Sequence, residues 1–461
     1  MFSIGKNKKE REILDVTHGP ILKKMFLFAF PLIISGTLQQ TFNTADSIVV
    51  GRVNTAALGG VSATGSIINL IIGLFIGLSV GASVAISQAI GAKEEQKAGS
   101  IAHTAVATAL LCGVAVAVVG FLIASPVLKM MKTPKENFDF AVTYMKIFFL
   151  GTPFMMLYNY GSAILRTIGD TKRPTIYLAA GGMVNVFLNI LFVIVLKLNP
   201  AGGVAAATVI SNIISSSLVM ITLCKNSNCC KIYIREIKIN FHDFIRMIEI
   251  GLPAGIQGSM FSVSNILMQS SINSFGHTFV EGNGASAALE SYASFMYDGF
   301  AQAATTFGGQ NYGAKRYDRL KKIYGQAMLW GACIVSVLVS VVIITFRRPL
   351  LSLFIAEGGP AIDVGSTRII CIMGTQIICA AMTITSAMLK GMNKAFSSMM
   401  ITIFGVCVVR IIWIYTVFAW DRSIFILYAI YPISWLIAFA ALIVMFFTTC
   451  SKLKSGQIQK S

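Results

Sequence analysis

The chain has 461 residues, of which 55% are hydrophobic and 12% charged, and its mean hydropathy is +0.74. Soluble globular domains carry about 25% charged residues, so this composition excludes a soluble enzyme. Lys and Arg number 37 against 19 Asp and Glu, a net charge of +18. In a soluble chain that charge would point to nucleic acid, but here its placement points elsewhere.

A membrane-crossing helix needs roughly 20 apolar residues. Apolar runs bounded by charge clusters fall near 25–50, 57–90, 101–128, 140–165, 174–196, 201–223, 248–273, 284–310, 323–346, 364–389, 396–419 and 424–449. They predict an all-α membrane protein with twelve transmembrane helices. The first run follows Lys6, Lys8, Lys9, Arg11, Lys23 and Lys24. It lacks the short apolar core and small-residue cleavage site of a signal peptide, and so reads as a retained first helix.

Counting the gaps alternately from the N-terminus sorts the basic residues. The side of both termini holds 26 Lys and Arg and the opposite side 8, leaving Lys146, Arg368 and Arg410 within spans. By the positive-inside rule both termini are expected in the cytoplasm, with the protein in a bacterial cytoplasmic membrane. The net charge is then topology, and no nucleic-acid partner is expected.

The chain also repeats. A shift of 222 residues lays Pro31 on Pro253, Ile34 on Ile256, Gly36 on Gly258 and Asn43 on Asn265. The same shift lays Gln88, Gly91, Ala92 and Lys93 on Gln310, Gly313, Ala314 and Lys315. Six spans fill that interval, an even number, so the halves share one orientation about an axis along the membrane normal. The expected organisation is two pseudo-symmetric six-helix bundles: a cytoplasmic segment 1–24, an N-lobe 25–223, a cytoplasmic loop 224–247, a C-lobe 248–450 and a cytoplasmic tail 451–461. Pro31 and Pro253, near the starts of the first and seventh predicted helices, either occupy first-turn positions or act as hinges, with the first-turn reading favoured for Pro31.

A charge near the centre of a span costs at least about 2.5–3.5 kcal/mol on insertion scales, so an acid there is a functional candidate by default. Of the 19 acids, Asp46, Glu290 and Asp298 lie well inside predicted spans. Gln39, Asn43 and Asp46 follow an i, i+4, i+7 spacing and stack on one helix face. A carboxylate there holds a proton or, with neighbouring amide oxygens, a cation; alternatively it caps a helix end beside Gly51 and Arg52. Asn185 with Asn189, and Thr208 with Asn212, are i, i+4 pairs. They either complete a hard-cation site with Asp46 or make interhelical hydrogen bonds. Glu290 and Asp298 are candidates for a substrate cavity that attracts cations, with Asn265 joining them as the repeat partner of Asn43. Glu290 alternatively pairs with Arg368 or Arg410. Only Cys224, Cys229 and Cys230 of the nine cysteines cluster, and the four histidines are scattered. No metal or organic cofactor is expected. Paired acids, a His cluster or an activated Ser at enzymatic spacing are lacking as well, so an enzyme is not expected.

Ala-Asp-Ser-Ile-Val-Val-Gly (45–51), Gln-Ala-Ile-Gly-Ala (88–92), Leu-Arg-Thr-Ile-Gly-Asp-Thr-Lys-Arg-Pro (165–174) and Gln-Asn-Tyr-Gly-Ala (310–314) stand on this repeated framework. Together they resemble the MATE family of multidrug and toxic-compound extruders over nearly the whole chain. The resemblance implies a secondary antiporter whose lobes enclose a cavity alternating between the two sides of the membrane. Inward H⁺ or Na⁺ movement would drive export of amphipathic, often cationic compounds. It further implies that Asp46 is the coupling-ion carboxylate and that Asn185 and Thr208 are ligands beside it. Asn189 stands where archaeal and DinF-like members have a second carboxylate, and Phe261 where NorM-like members have a glutamate. The repeat partner of Asp46 is Met268, so ion coupling is expected in the N-lobe only. The partners expected are small-molecule substrates and membrane lipid, with the protein acting as a monomer. The alternative is a flippase for lipid-linked oligosaccharide, which needs a strongly cationic cavity.

Overall fold

The computed structural model describes residues 14–131, 133–355 and 359–455. Residues 1–13 of the expected N-terminal segment and 456–461 of the expected tail lie outside them. In hydrocarbon every backbone N–H and C=O must be paired within the chain, which helices achieve segment by segment. Among the described residues there is no strand. The first half comprises α1 (Ile21–Val53), α2 (Thr55–Gly91), α3 (Glu95–Met130), α4 (Lys135–Leu150), α5 (Thr152–Thr167), α6 (Lys172–Asn189) and α7 (Pro200–Lys225). The second comprises α8 (Phe241–Asn273), α9 (His277–Gly313), α10 (Tyr317–Ala327), α11 (Val337–Thr345), α12 (Arg347–Ser352), α13 (Pro360–Met373), α14 (Gln376–Gly391), α15 (Ala395–Thr402), α16 (Val409–Tyr415), α17 (Val417–Trp420) and α18 (Ile424–Lys454). Three stretches widen into π-helix: Ile190–Val195 extends α6, Met328–Ser336 joins α10 to α11, and Ile403–Val408 joins α15 to α16.

Eight helical stretches are long and apolar enough to cross a membrane, or ten if α4 with α5 and α13 with α14 are each one span bent by 49°. The first bend has a local cause. Gly151 closes α4, and Pro153 in the first turn of α5 has no N–H with which to continue the ladder. Helices α8 and α9 have 33 and 37 residues but are too polar to join that set. The all-α membrane fold is therefore the one expected, with eight to ten spans supported by length and composition.

Side chains set several starts. Asn54 Oδ1 accepts from Ala57 N at 3.0 Å, Asn199 Oδ1 from Gly202 N at 3.0 Å, and Asn240 Oδ1 from His242 N at 3.1 Å. Each cap satisfies an N–H that the helix leaves open. Pro31 corrects the sequence reading. Helix α1 begins at Ile21, ahead of the apolar run, because Lys23 and Lys24 are good helix formers, so Pro31 lies inside the helix and not in its first turn.

Buried apolar side chains form two main cores. One gathers residues between 68 and 247, including Ile101, Phe149 and Tyr160. The other takes Met25, Phe28 and Leu32 from α1 together with residues between 268 and 453, including Phe300 and Phe307. The start of α1 thus packs with the second half, and Met247 of α8 packs with the first.

The halves meet backbone to backbone toward one end and more loosely, around cavities, toward the other. A Cβ built on Gly77 would lie 2.1 Å from Gly255 N, and one on Gly81 would lie 2.1 Å from Met247 O. Farther along, the nearest atom to such a Cβ on Gly73 is Ser259 Oγ at 4.0 Å, and around Gly65 and Gly258 nothing lies within 4 Å. At the closed end the repeated Gln-x-x-Gly motifs touch reciprocally. A Cβ on Gly91 would fall 1.9 Å from Gln310 O, and one on Gly313 would fall 2.0 Å from Gln88 O. The turns that follow contain Lys93 (φ 61°) and Lys315 (φ 56°), both left-handed, at equivalent places in the repeat.

Residues 14–19 lie across this closed end. Leu14 N donates to Ile168 O at 3.1 Å in the first half. Val16 N donates to Gln310 Oε1 at 3.3 Å, and Asn311 Nδ2 donates to Val16 O at 3.2 Å, in the second. Partial burial opposes ionisation of Asp15, but hydrogen bonds from Thr17 and His18 outweigh it and hold this carboxyl down at about 2.

Gly77→Ala puts a methyl group onto backbone and should cost about 1–3 kcal/mol. Gly258→Ala adds the same methyl to open space and should be neutral or stabilising, since Ala is the better helix former. Thermal unfolding of the two variants in detergent checks this; equal midpoints would contradict the close contact.

Candidate functional site

A cavity of about 530 Å³ opens in the first half. Helix α1 supplies Gln39, Asn43 and Asp46, α4 supplies Tyr144, α6 supplies Asn185, and α7 supplies Thr208 and Asn212. The helical spacing read in the sequence is what turns these side chains to one interior face. Asn189, fully buried at the end of α6, donates from Nδ2 to Asp46 Oδ1 at 2.5 Å. The Asn185 amide satisfies both its ends with its nitrogen toward Asp46 Oδ1 at 2.8 Å and its oxygen accepting from Thr208 N at 3.3 Å. Asn189 Oδ1 is left buried with no hydrogen-bond partner among the described residues. One residue later the helix loosens into the π segment.

The cluster is one carboxylate, two amides and a hydroxyl. With amide N–H groups turned inward it holds a charged carboxylate; with amide oxygens turned inward it offers ligands to a proton or a hard monovalent cation. Among the described residues no group of three or more His, Cys, Asp or Glu could hold a metal ion. The donor set is hard oxygen, unlike the N and S ligands of zinc or copper.

The other candidate residues fall elsewhere. Glu290 is held by Arg368 in a bidentate pair, Nε to Oε1 at 2.7 Å and Nη2 to Oε2 at 2.8 Å. Arg368 also donates to Asn283 Oδ1 at 2.5 Å and lies over the rings of Tyr428 and Tyr431. Asn265 is exposed and accepts from Arg410 Nη1 at 3.5 Å. Asp298 lines a second cavity of about 340 Å³, between the halves, with Arg166, Gln257, Phe261, Gln302 and Lys390. Arg166 lines both cavities, and its Nη1 donates to Gln302 Oε1 at 2.7 Å.

Sequence reasoning put Arg166 and Lys390 in loops and missed their role as cavity linings. Helices α5 and α14 run on to Thr167 and Gly391 and carry both side chains inward. A signal was present, because Ser162-Ala163-Ile164-Leu165-Arg166 and Ser386-Ala387-Met388-Leu389-Lys390 align at a shift of 224, two residues more than the 222 that relates the earlier helices.

The MatE family model matches residues 31–191 and 253–416. This chain belongs to the MATE family. Its two matched segments begin at Pro31 and Pro253, the same prolines that define the internal repeat. The probable multidrug resistance protein YoeA of Bacillus subtilis is 27% identical over 344 residues, 73% of this chain and 74% of the relative. The probable multidrug resistance protein YpnP of the same organism is 29% identical over 301 residues, 65% and 67% of the two chains. The multidrug export protein MepA of Staphylococcus aureus is 20% identical over 393 residues, 85% and 84% of the two chains. A multidrug resistance MATE family transporter of the MOP superfamily, solved in an outward-facing conformation, superimposes with a TM-score of 0.90 at 22% identity, covering 97% of this chain and 100% of that one. A MOP superfamily transporter from Pyrococcus furiosus gives 0.89 at 22% identity over 95% and 98%. The MATE chain thus shares their fold, and its family and neighbours are transporters.

The Glu290–Arg368 pair of this MATE protein gives a clear expectation. Removing one partner of a buried pair strands the other and costs about 3–5 kcal/mol, whereas replacing both by apolar residues is far milder. Arg368→Leu should therefore lower the unfolding midpoint sharply, and adding Glu290→Leu should restore much of it. A double variant as unstable as the sum of its singles would show that Glu290 is not engaged chiefly with Arg368.

Proposed function

We propose that this MATE protein is a secondary antiporter of the bacterial cytoplasmic membrane, exporting amphipathic compounds in exchange for inward H⁺ or Na⁺. It acts as a monomer, with lobes 25–223 and 248–450 alternating around a central cavity and both termini in the cytoplasm. Kinship with proteins named for multidrug resistance and export supports drug efflux, and does not favour the flippase alternative. The observation that carries the coupling is the Asp46–Asn189 hydrogen bond inside the 530 Å³ cavity, beside the unpartnered Asn189 Oδ1.

The excess of basic residues on the side of Lys93 and Lys315 supports a cytoplasmic closed end, and with it an outward-facing state. Ion binding at Asp46 reaches the interface between lobes through α1 itself. That helix carries Asp46 in the N-lobe cavity and Phe28 and Leu32 in the core of the second half. Protonation removes, and cation capture offsets, the charge to which Asn189 donates, which loosens α1 from α6 and shifts the population between outward- and inward-open states. Asp46, Asn185 and Thr208, with Asn189, are the ligands available to Na⁺. With H⁺, Asp46 alone carries the ion.

Asp46→Asn should reduce ion-driven efflux of a fluorescent amphipathic dye from proteoliposomes by about tenfold or more, the usual scale of a coupling energy. Separate pH and Na⁺ gradients applied to the wild type identify the ion. Efflux by Asp46→Asn at the wild-type rate would overturn the assignment of Asp46, and wild-type efflux indifferent to both gradients would overturn antiport.

A further inference from the structure

The cavity between the halves holds charges that do not meet. Asp298 of α9 and Lys390 of α14 both line it and are near enough to feel each other electrostatically. Among the described residues neither makes an ion pair or a side-chain hydrogen bond. Arg166 reaches in from the first half with Nε buried and unpartnered among the described residues. Gln257, on the same lining, has Oε1 buried and unpartnered too. Buried polar atoms are normally satisfied, so a cavity with an orphan donor, an orphan acceptor, a free acid and a free base is built for something that supplies the complements.

The balance of charge narrows what that is. Arg166 comes from α5 of the first half and Lys390 from α14 of the second, so each half contributes one base. Asp298 has no such counterpart, because the equivalent position in the first half is Ile76. Two bases against one acid repel a purely cationic guest, while one acid leaves a purely anionic guest with an unmatched neighbour. Phe28, Phe261 and Met382 supply apolar wall.

We infer that this cavity selects amphipathic zwitterions, with a carboxylate or similar single anion toward Lys390 and Arg166 and a cationic or N–H-bearing end toward Asp298 and Gln257. This narrows the substrate class of the efflux reading and rests on that reading for its transport consequence. Recognition itself is a binding property and is measured separately.

Rhodamine B at pH 7 carries a xanthylium cation and a free carboxylate; its ethyl ester keeps the cation and loses the anion. Fluorescence anisotropy of each dye against the purified full-length protein should give about tenfold tighter binding of rhodamine B, the scale of one charge-assisted hydrogen bond. Lys390→Gln should weaken rhodamine B and tighten the ester, a crossed response that misfolding cannot produce, and Lys390→Arg should restore the wild-type order. Equal affinities in the wild type, a Lys390→Gln variant that shifts both dyes alike, or binding of neither dye would each overturn the inference. Selective binding without transport in proteoliposomes would instead overturn the efflux reading and leave the selectivity standing.

Discussion

A charge inside a bilayer has to be paired, surrounded by oriented polar groups or given access to water, and the three acids that the sequence places within apolar runs take one solution each. Glu290 is paired, with both oxygens on Arg368. Asp46 is surrounded by amides and a cavity. Asp298 faces open space across from Lys390 without touching it. Because an unmatched charge in hydrocarbon costs several kcal/mol, incomplete matching persists only where a ligand, an ion or water completes it. The fully matched acid is architecture, and the two that are incompletely matched mark the cavities.

The same economy of polar groups governs how the halves meet. Without a hydrophobic drive between helices in lipid, close association depends on van der Waals contact, which small residues permit. Gly77, Gly81, Gly251 and Gly255 let α2 and α8 touch backbone to backbone, and Gly91 and Gly313 do so for the repeated motifs. Where glycines face open space they line cavities, Gly65 the one in the first half and Gly258 the one between the halves. Contact concentrated at one end leaves the polar face of α1, with Gln39 and Asn43, free to line a cavity.

Much of this was legible in the sequence, for physical reasons. Hydrocarbon thickness imposes long apolar runs, so the all-helical membrane fold could be read directly. The scarcity of acids made Asp46 conspicuous, and helical spacing placed Gln39 and Asn43 on its face. Asn189 could be listed beside it, but not known to donate to Asp46, because that bond depends on how α6 packs on α1. Hydropathy stops where the chain turns polar but the helix continues. For that reason Pro31 was misplaced, α8 was begun late, and Arg166 and Lys390 were left in loops. The partner of Glu290 was open between Arg368 and Arg410, and only tertiary geometry decides such a choice. Internal duplication held more than hydropathy did, since the likeness of the segments that end in Arg166 and Lys390 needs no structure to be seen.

Duplication has left two similar scaffolds with unequal electrostatics. At the position equivalent to Asp46 the second half has Met268, 1% exposed within its core. That half concentrates its charge in Arg368 and Arg410, which share the face of Tyr431 at 5.4 and 4.4 Å, with Glu290 closing the first. A bidentate buried pair has no cheap alternative arrangement, whereas a lone carboxylate on two amides can change its charge or its ligands with small rotations. The Glu290–Arg368 pair is therefore a stiff element of the second half, whereas Asp46 in the first half sits among partners that can rearrange. Since α1 belongs to the cavity of one half and the core of the other, a single helix joins Asp46 to the contact between halves, with no relay of intermediates between them.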